Sequence, residues 1–210
     1  MINNSIINKK VSVLENVSFN DYFHDFPFSP SEIFPEYIFK DVSKTKNNIY
    51  PMVRKILLNL GLDAKNYGTT KWNPFKDLIR PGFKVIIKPN WVMDNNPIED
   101  STKSLITNIS LIRPIIDYVL IALQDRGELI IGDASLQTCN FEKIIRDNKL
   151  NELIAFYTNK TEVSIKIKDF RYEKAIFNPK TYTISGLEKN NDLENYYTVN
   201  LEKDSFLMPI

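Results

Sequence analysis

The sequence predicts an α/β fold: β-α-β units with a mostly parallel sheet, helices packed on it, and an aromatic- and Pro-rich N-terminal arm. Three observations carry this. First, two short apolar runs, Lys84-Val85-Ile86-Ile87 and Leu129-Ile130-Ile131, stop abruptly in polar residues, as buried strands of an α/β sheet do. Second, a long apolar segment of helical character, 109–123, lies between them, so the three read together as one β-α-β unit. Third, aromatics and prolines alternate densely from Tyr22 to Phe39, which prevents regular structure while arguing against disorder.

Taken in order, Val11-Ser12-Val13-Leu14 reads as a short strand. The aromatic stretch that follows is expected to pack on the domain surface as an arm or lid without chemistry of its own, because aromatics mainly supply buried area. Asn47-Asn48-Ile49-Tyr50-Pro51 opens a helix with Pro51 in its first turn; Tyr50, Val53, Ile56, Leu57 and Leu60 make its apolar face and Gly61 ends it. Arg54 and Lys55 fall on other faces and are expected in solvent. Arg80-Pro81-Gly82 is a turn that delivers the chain into the strand 83–87.

The central helix is expected to start near Thr107 or Asn108, both good caps, with Pro114 tolerated in its first turn. Leu111, Ile115, Tyr118, Val119 and Ala122 form its main buried stripe, Ile112, Ile116 and Leu120 widen it, and Asp125-Arg126-Gly127 stops it. A further helical segment spans about 140–157. Val163 to Ile167 alternates apolar and polar residues, the pattern of an edge strand with one wet face. Beyond Asp169 the pattern weakens to strand-like Thr181–Ile184 and Tyr196–Leu201 around an acidic, Asn-rich turn. The predicted organisation is an N-terminal arm over 1–45 and an α/β domain over 46–210, incomplete at its C-terminal end.

Composition narrows the function classes. With 27 basic and 26 acidic residues the net charge is +1, so no concentrated basic face points to nucleic acid. No apolar run approaches the roughly 20 residues that span a bilayer, and the N-terminus lacks the basic-then-apolar pattern of a signal peptide. A cytoplasmic location follows as the expectation. One cysteine, Cys139, rules out an intrachain disulfide or a cysteine-ligated cluster, and one histidine, His24, leaves too few ligands for zinc. Neither G-x-G-x-x-G nor G-K-[ST] occurs, which argues against a dinucleotide site or a P-loop. No cofactor is named by the sequence and no metal site is predicted.

Ligands of open α/β sheets bind outside the carboxyl ends of the strands. That rim would carry Lys88, Asn90 and Trp91 from one strand and Asp133, Ser135 and Gln137 from the next. Lys88 could pair with an anionic group, and Asn90 could donate and accept. Asp133 could orient a hydroxyl, ligate a metal through oxygen, or act as a base. Each also has a structural use: Asn90 in stabilising a loop, Asp133 in capping the next turn, Lys88 in snorkelling. The candidate set is Asp133 as the catalytic carboxylate, with Lys88, Asn90, Thr107 and Ser135 binding a small anionic metabolite. The rival reading is a non-catalytic interaction module, or an N-terminal fragment, that docks a second chain or a missing C-terminal half.

Lys84–Asn90, Leu105-Ile106-Thr107-Asn108 and Ile130-Ile131-Gly132-Asp133-Ala134 together resemble the N-terminal half of the domain of unknown function 362 family. Lys88, Pro89, Asn90, Thr107, Gly132 and Asp133 match its motifs. Phe28-Ser29-Pro30-Ser31-Glu32 and Tyr67-Gly68-Thr69 with Trp72-Asn73-Pro74 are similar to longer members, some found among surface-polysaccharide genes. The resemblance implies an α/β domain without a generally assigned reaction, sometimes attached to a ferredoxin-like iron–sulfur module, and a polysaccharide-biosynthesis context. The family's later K-x-H and L-K-N motifs and the ferredoxin-like cysteines do not occur in the 210 residues. The chain therefore reads as the N-terminal portion of a longer protein, and an iron–sulfur role is not expected.

Overall fold

Three parallel strands, β1 (Lys84–Ile87), β2 (Glu128–Asp133) and β3 (Ser164–Asp169), lie side by side in the order β1-β2-β3 in the computed structural model. It describes residues 10–15, 21–178, 180, 181 and 183–190. The chain divides into two compact units, Met1–Phe170 and Arg171–Ile210. The first holds the parallel sheet and the helices α1 (Ile49–Asn59), α2 (Ile109–Leu123), α3 (Phe141–Asp147) and α4 (Leu150–Thr158). The second holds a two-stranded antiparallel ribbon, β4 (Glu173–Asn178) and β5 (Thr183–Lys189). The protein is thus a mixed α/β structure.

The sheet register explains its two faces. Val85, Leu129 and Ile165 align, as do Ile87, Ile131 and Ile167, and both rows pack into the main core with the helices. The opposite face carries Lys84, Glu128 and Ser164 in one row, where the Glu128 carboxylate pairs with Lys84 at 3.1 Å and Lys166 at 2.5 Å. Only β2 is buried along its length. β1, read from sequence as a buried strand, is an edge strand with Ile86 57% exposed. Its apolar run misleads because burial depends on the neighbours, and among the described residues β1 has one. β3 alternates as its sequence indicates.

α2 occupies the segment between β1 and β2. Asn108 caps it in the extended region, its side-chain oxygen accepting from the Ser110 N–H and hydroxyl at 2.9 and 2.8 Å. Pro114 falls outside the first turn, where it was expected, and sits within the helix, so the Ser110 carbonyl loses its usual partner. Ile112, Ile116, Val119, Leu120 and Leu123 are buried, each such side chain contributing about 1.5–3 kcal/mol against exposure. In α1, Asn47 does the capping: its oxygen accepts from Ile49 and Tyr50 N–H, while its amide donates to the Phe28 and Ser29 carbonyls.

Other expectations fail for stated reasons. Residues 11–14 form no strand, Val11 and Val13 being 87% and 83% exposed with no ladder to join. The helix expected over 140–157 is two helices, broken where Lys149 adopts a left-handed conformation at φ 55°. Arg54 is buried, in an ion pair described below. Of the strand-like signal at 181–184, Thr183 and Ile184 open the longer β5; β4, which carries the short apolar run Ala175-Ile176-Phe177, is a strand the sequence reading does not assign. Tyr196–Leu201 lies outside the described residues.

Two glycines are fixed by space. A Cβ on Gly132 would land on the Lys168 carbonyl oxygen of the neighbouring strand. Gly127, at φ 119°, would press a Cβ into the Phe83 carbonyl just before β1.

Candidate functional site

The end of β1 and the end of β2 meet through one carboxylate. Parallel pairing of Ile87 with Ile131 brings Lys88 level with Gly132 and places Asp133 beside it. Lys88 Nζ lies 2.6 Å from Asp133 Oδ1, which also accepts the Ala134 N–H at 2.7 Å; Oδ2 accepts the Trp91 N–H at 2.7 Å. The Asp133 side chain is 4% exposed and that of Lys88 59%. A buried carboxylate is held by three donors, and one of those donors reaches into water.

Trp91 is the buried post of this rim. Its indole N–H donates to the Thr107 carbonyl at 3.1 Å and its ring meets Phe141 edge-on at 6.0 Å. Trp91 and Ile106 form an antiparallel bridge, extended by Val92 N–H to Leu105 O, which closes the neck of the loop between them. Thr107 braces the same neck: its hydroxyl oxygen accepts the Asn90 N–H at 3.1 Å and its own N–H donates to the Asn90 carbonyl at 2.8 Å. Ser135 donates its hydroxyl to the Trp91 carbonyl at 2.6 Å and is buried.

All five residues named from sequence therefore gather around Trp91, in unequal states. Ser135 and Thr107 spend their hydroxyls on backbone groups of the rim, and Asp133 divides its oxygens between two backbone N–H groups and Lys88. Lys88 and the exposed Asn90 side chain face solvent. Asp94 turns instead to the next helix, accepting the Asn140 N–H at 2.8 Å. His24 pairs with Asp21 at 3.2 Å; Lys103 first and His24 next hold that aspartate far below its ordinary range.

A second polar cluster, deep in the first unit, was not anticipated. Arg113 and Asp117, one turn apart on α2, form a fully buried ion pair at 3.1 Å. Asp117 also accepts from the Tyr50 hydroxyl at 2.8 Å and from that of Tyr157; Arg113 donates to the Pro27 carbonyl at 2.9 Å and to the Tyr37 hydroxyl at 3.1 Å. Burial, then the charge of Asp117, keeps Tyr50 protonated well above the usual phenol range, which is what a donor requires. Beside it, Glu36 takes Arg54 Nε at 2.6 Å and the Tyr118 hydroxyl at 2.9 Å, while Arg54 lies over the rings of Tyr67 and Phe34 at 4.2 and 4.5 Å. The sequence signal for this cluster was an Arg and an Asp spaced i, i+4 inside an otherwise apolar helix. Such a pair faces the core only if partners there satisfy it.

Compared with protein-family models, curated proteins and solved structures, the chain finds no match. Among the described residues no group of three or more His, Cys, Asp or Glu side chains is placed to hold a metal ion. No helix among them is long and apolar enough to cross a membrane.

Proposed function

We propose that the first unit binds a small anionic metabolite at the carboxyl-end rim of its parallel strands, with Lys88 as the ion-pairing contact. In this reading β1, α2 and β2 form a β-α-β crossover that presents the rim. The observation that carries it is the asymmetry of the Lys88–Asp133 pair: a buried, three-donor carboxylate fixes an ammonium that keeps donors directed to water. Asn90 supplies an adaptable amide beside it. Asp133 acts as a positioning carboxylate, since both its oxygens are already engaged, and Thr107 and Ser135 brace the loop. The resemblance to the domain of unknown function 362 family is part of this proposal and rests on the motifs at 84–90, 105–108 and 130–134.

The test is Trp91 fluorescence during titration with inorganic phosphate, glucose 1-phosphate and UDP-glucose. A saturable change is expected, absent in Trp91→Phe and lost in Lys88→Ala. No response from a cooperatively folded chain to any of the three would overturn the reading.

A second reading, docking of another polypeptide, is favoured by one feature: β1 is an edge strand with Ile86 and Phe83 57% and 45% exposed. It expects self-association or capture of an added strand; a monomer in light scattering whose β1 amides exchange as fast as loop amides counts against it.

A further inference from the structure

We propose that the open edge of β1 receives an acidic strand from another polypeptide, in which two carboxylate side chains flank a central apolar residue on the face shared with Lys84, Ile86 and Lys88. The inference rests on the second reading above, docking of a polypeptide at β1, and names the chemistry of the partner.

Backbone groups name a strand as the occupant. The Glu128 N–H donates to the Phe83 carbonyl at 3.0 Å. Phe83, Val85 and Ile87 therefore turn their backbone groups toward β2, and Lys84 and Ile86, alternating with them, turn theirs away. Among the described residues no group bonds the N–H or C=O of Lys84 or Ile86, and β1 has a strand on one side only. An extended chain fills two donors and two acceptors in line, which neither a helix nor a compact ligand does. The side chains fit the same occupant. Ile86 is exposed on the outer face and Phe83 at the start of the strand. A strand laid alongside, with alternate residues on the two faces of the sheet, covers both.

Charge selects the chemistry of that strand. Lys84 and Lys88 lie two residues to either side of Ile86, and their side chains are 56% and 59% exposed. The carboxylates that hold them, Glu128 and Asp133, are 19% and 4% exposed, so the charge that reaches solvent along this edge is positive. Residues opposite one another on paired strands attract when oppositely charged and repel when alike. A second copy of this chain is a poor occupant for that reason. An antiparallel pair centred on Ile86 sets Lys84 against Lys88 of the second copy, and one centred on Val85 sets the two Lys84 side chains diagonally adjacent. A strand reading acid, apolar, apolar, apolar, acid has the complementary order. Its carboxylates lie beside Lys84 and Lys88, its central residue beside Ile86, and its intervening residues on the core face beside Val85 and Ile87.

The test is amide chemical-shift mapping and hydrogen exchange of the full chain with three synthetic peptides: acetyl-Ser-Glu-Val-Ile-Val-Glu-Ser-amide, its Gln form and its Lys form. The acidic peptide is expected to give saturable shifts and slowed exchange at the Lys84 and Ile86 amides. It should bind about fivefold tighter than the Gln form, with no response to the Lys form. Ile86→Pro removes an N–H that does not serve the ladder to β2, so it should abolish binding and leave the melting temperature nearly unchanged. Should that variant not fold, Lys84→Gln, at an exposed position, should narrow the gap between the acidic and Gln peptides about twofold. Equal protection by the Gln or Lys form, or by self-association without peptide, overturns the acidic partner and leaves strand docking standing. Protection by none of the three, in a chain that stays monomeric in light scattering, ends both. Acidic-peptide shifts confined to Lys88, Asn90 and Trp91, or surviving Ile86→Pro, overturn the inference by assigning the peptide to the rim as an anion.

Discussion

Asp133 and Asp117 solve the same problem in opposite settings. Each is a carboxylate with almost no exposed surface, and each is satisfied by an ion-pairing cation plus two further donors. At Asp117 the cation is Arg113, itself fully buried, and the other donors are tyrosines from α1 and α4. At Asp133 the cation is Lys88, more than half exposed, and the other donors are backbone N–H groups of the rim. The closed cluster ties elements together and offers nothing to a ligand. The open one holds a backbone turn in place and leaves one charge in water. Exposure of the cation, and not the presence of an ion pair, separates architecture from a candidate site.

Breaking the closed cluster should have the largest effect. Asp117→Ala strands Arg113 and two tyrosine hydroxyls in the core, and removing one partner of a buried pair costs about 3–5 kcal/mol. Urea unfolding is expected to show loss of most of the chain's stability. The double substitution Arg113→Met with Asp117→Leu should recover part of it, because no unpaired charge is left behind. Equal damage in the single and double variants would mean that the tyrosines, not the charge, carry the cost.

Next is Gly132, the residue before the open carboxylate. Gly132→Ala places a methyl on the Lys168 carbonyl, and overpacking of this kind costs about 1–3 kcal/mol. Thermal unfolding should show a clear fall. A neutral result would mean that β2 and β3 can slide apart there, and that the glycine serves the rim and not the sheet.

How much of this was legible beforehand follows from the same contrast. The rim could be read because it is local: apolar runs mark the strands, parallel pairing makes their ends coincide, and Lys88 and Asp133 are the first charges past each run. Their separate fates could not be read, since nothing in the sequence says that Ser135 spends its hydroxyl on Trp91 or that Thr107 braces Asn90. The closed cluster was illegible for a different reason. Glu36 finds Arg54 across 18 residues and Tyr118 across 82, and Arg113 finds Pro27 across 86. No periodicity records contacts of that range. On helical spacing Arg54 is expected in solvent; its pairing with Glu36 buries both. The same non-local packing buries Phe23, Phe28 and Tyr37.

At the open pair the two partners should differ in their cost to stability. Asp133→Ala orphans the Trp91 and Ala134 N–H groups as well as Lys88, and losing a buried acceptor costs about 1–3 kcal/mol. Lys88→Ala removes a half-exposed cation, and such pairs contribute about 0–1 kcal/mol. Melting temperatures are expected to fall for Asp133→Ala and hardly to move for Lys88→Ala. If Lys88→Ala destabilises as much as Asp133→Ala, the ammonium is structural and the proposed rim site fails with it.

The smallest effect belongs to Glu128, which sits on the outer face of the same sheet with two cations. Lys166 first, and Lys84 with it, hold its carboxyl below the ordinary 4.5. The folded chain therefore releases this proton at a lower pH than the unfolded chain does. The stabilisation is complete above 4.5 and drains away as the pH falls below it. Melting temperature measured from neutral pH downward should drop in that window, and Glu128→Gln should flatten part of the drop while lowering the neutral plateau only slightly. High salt should imitate Glu128→Gln, because the lysines are 56% and 62% exposed and screening reaches them. Neither substitution at Asp117 nor salt can be interchanged in that way, since ions do not enter the core. A salt-sensitive Glu128 beside a salt-indifferent Arg113–Asp117 pair would place Lys88 experimentally between the two: its own salt response then measures how far the rim is open to an anion.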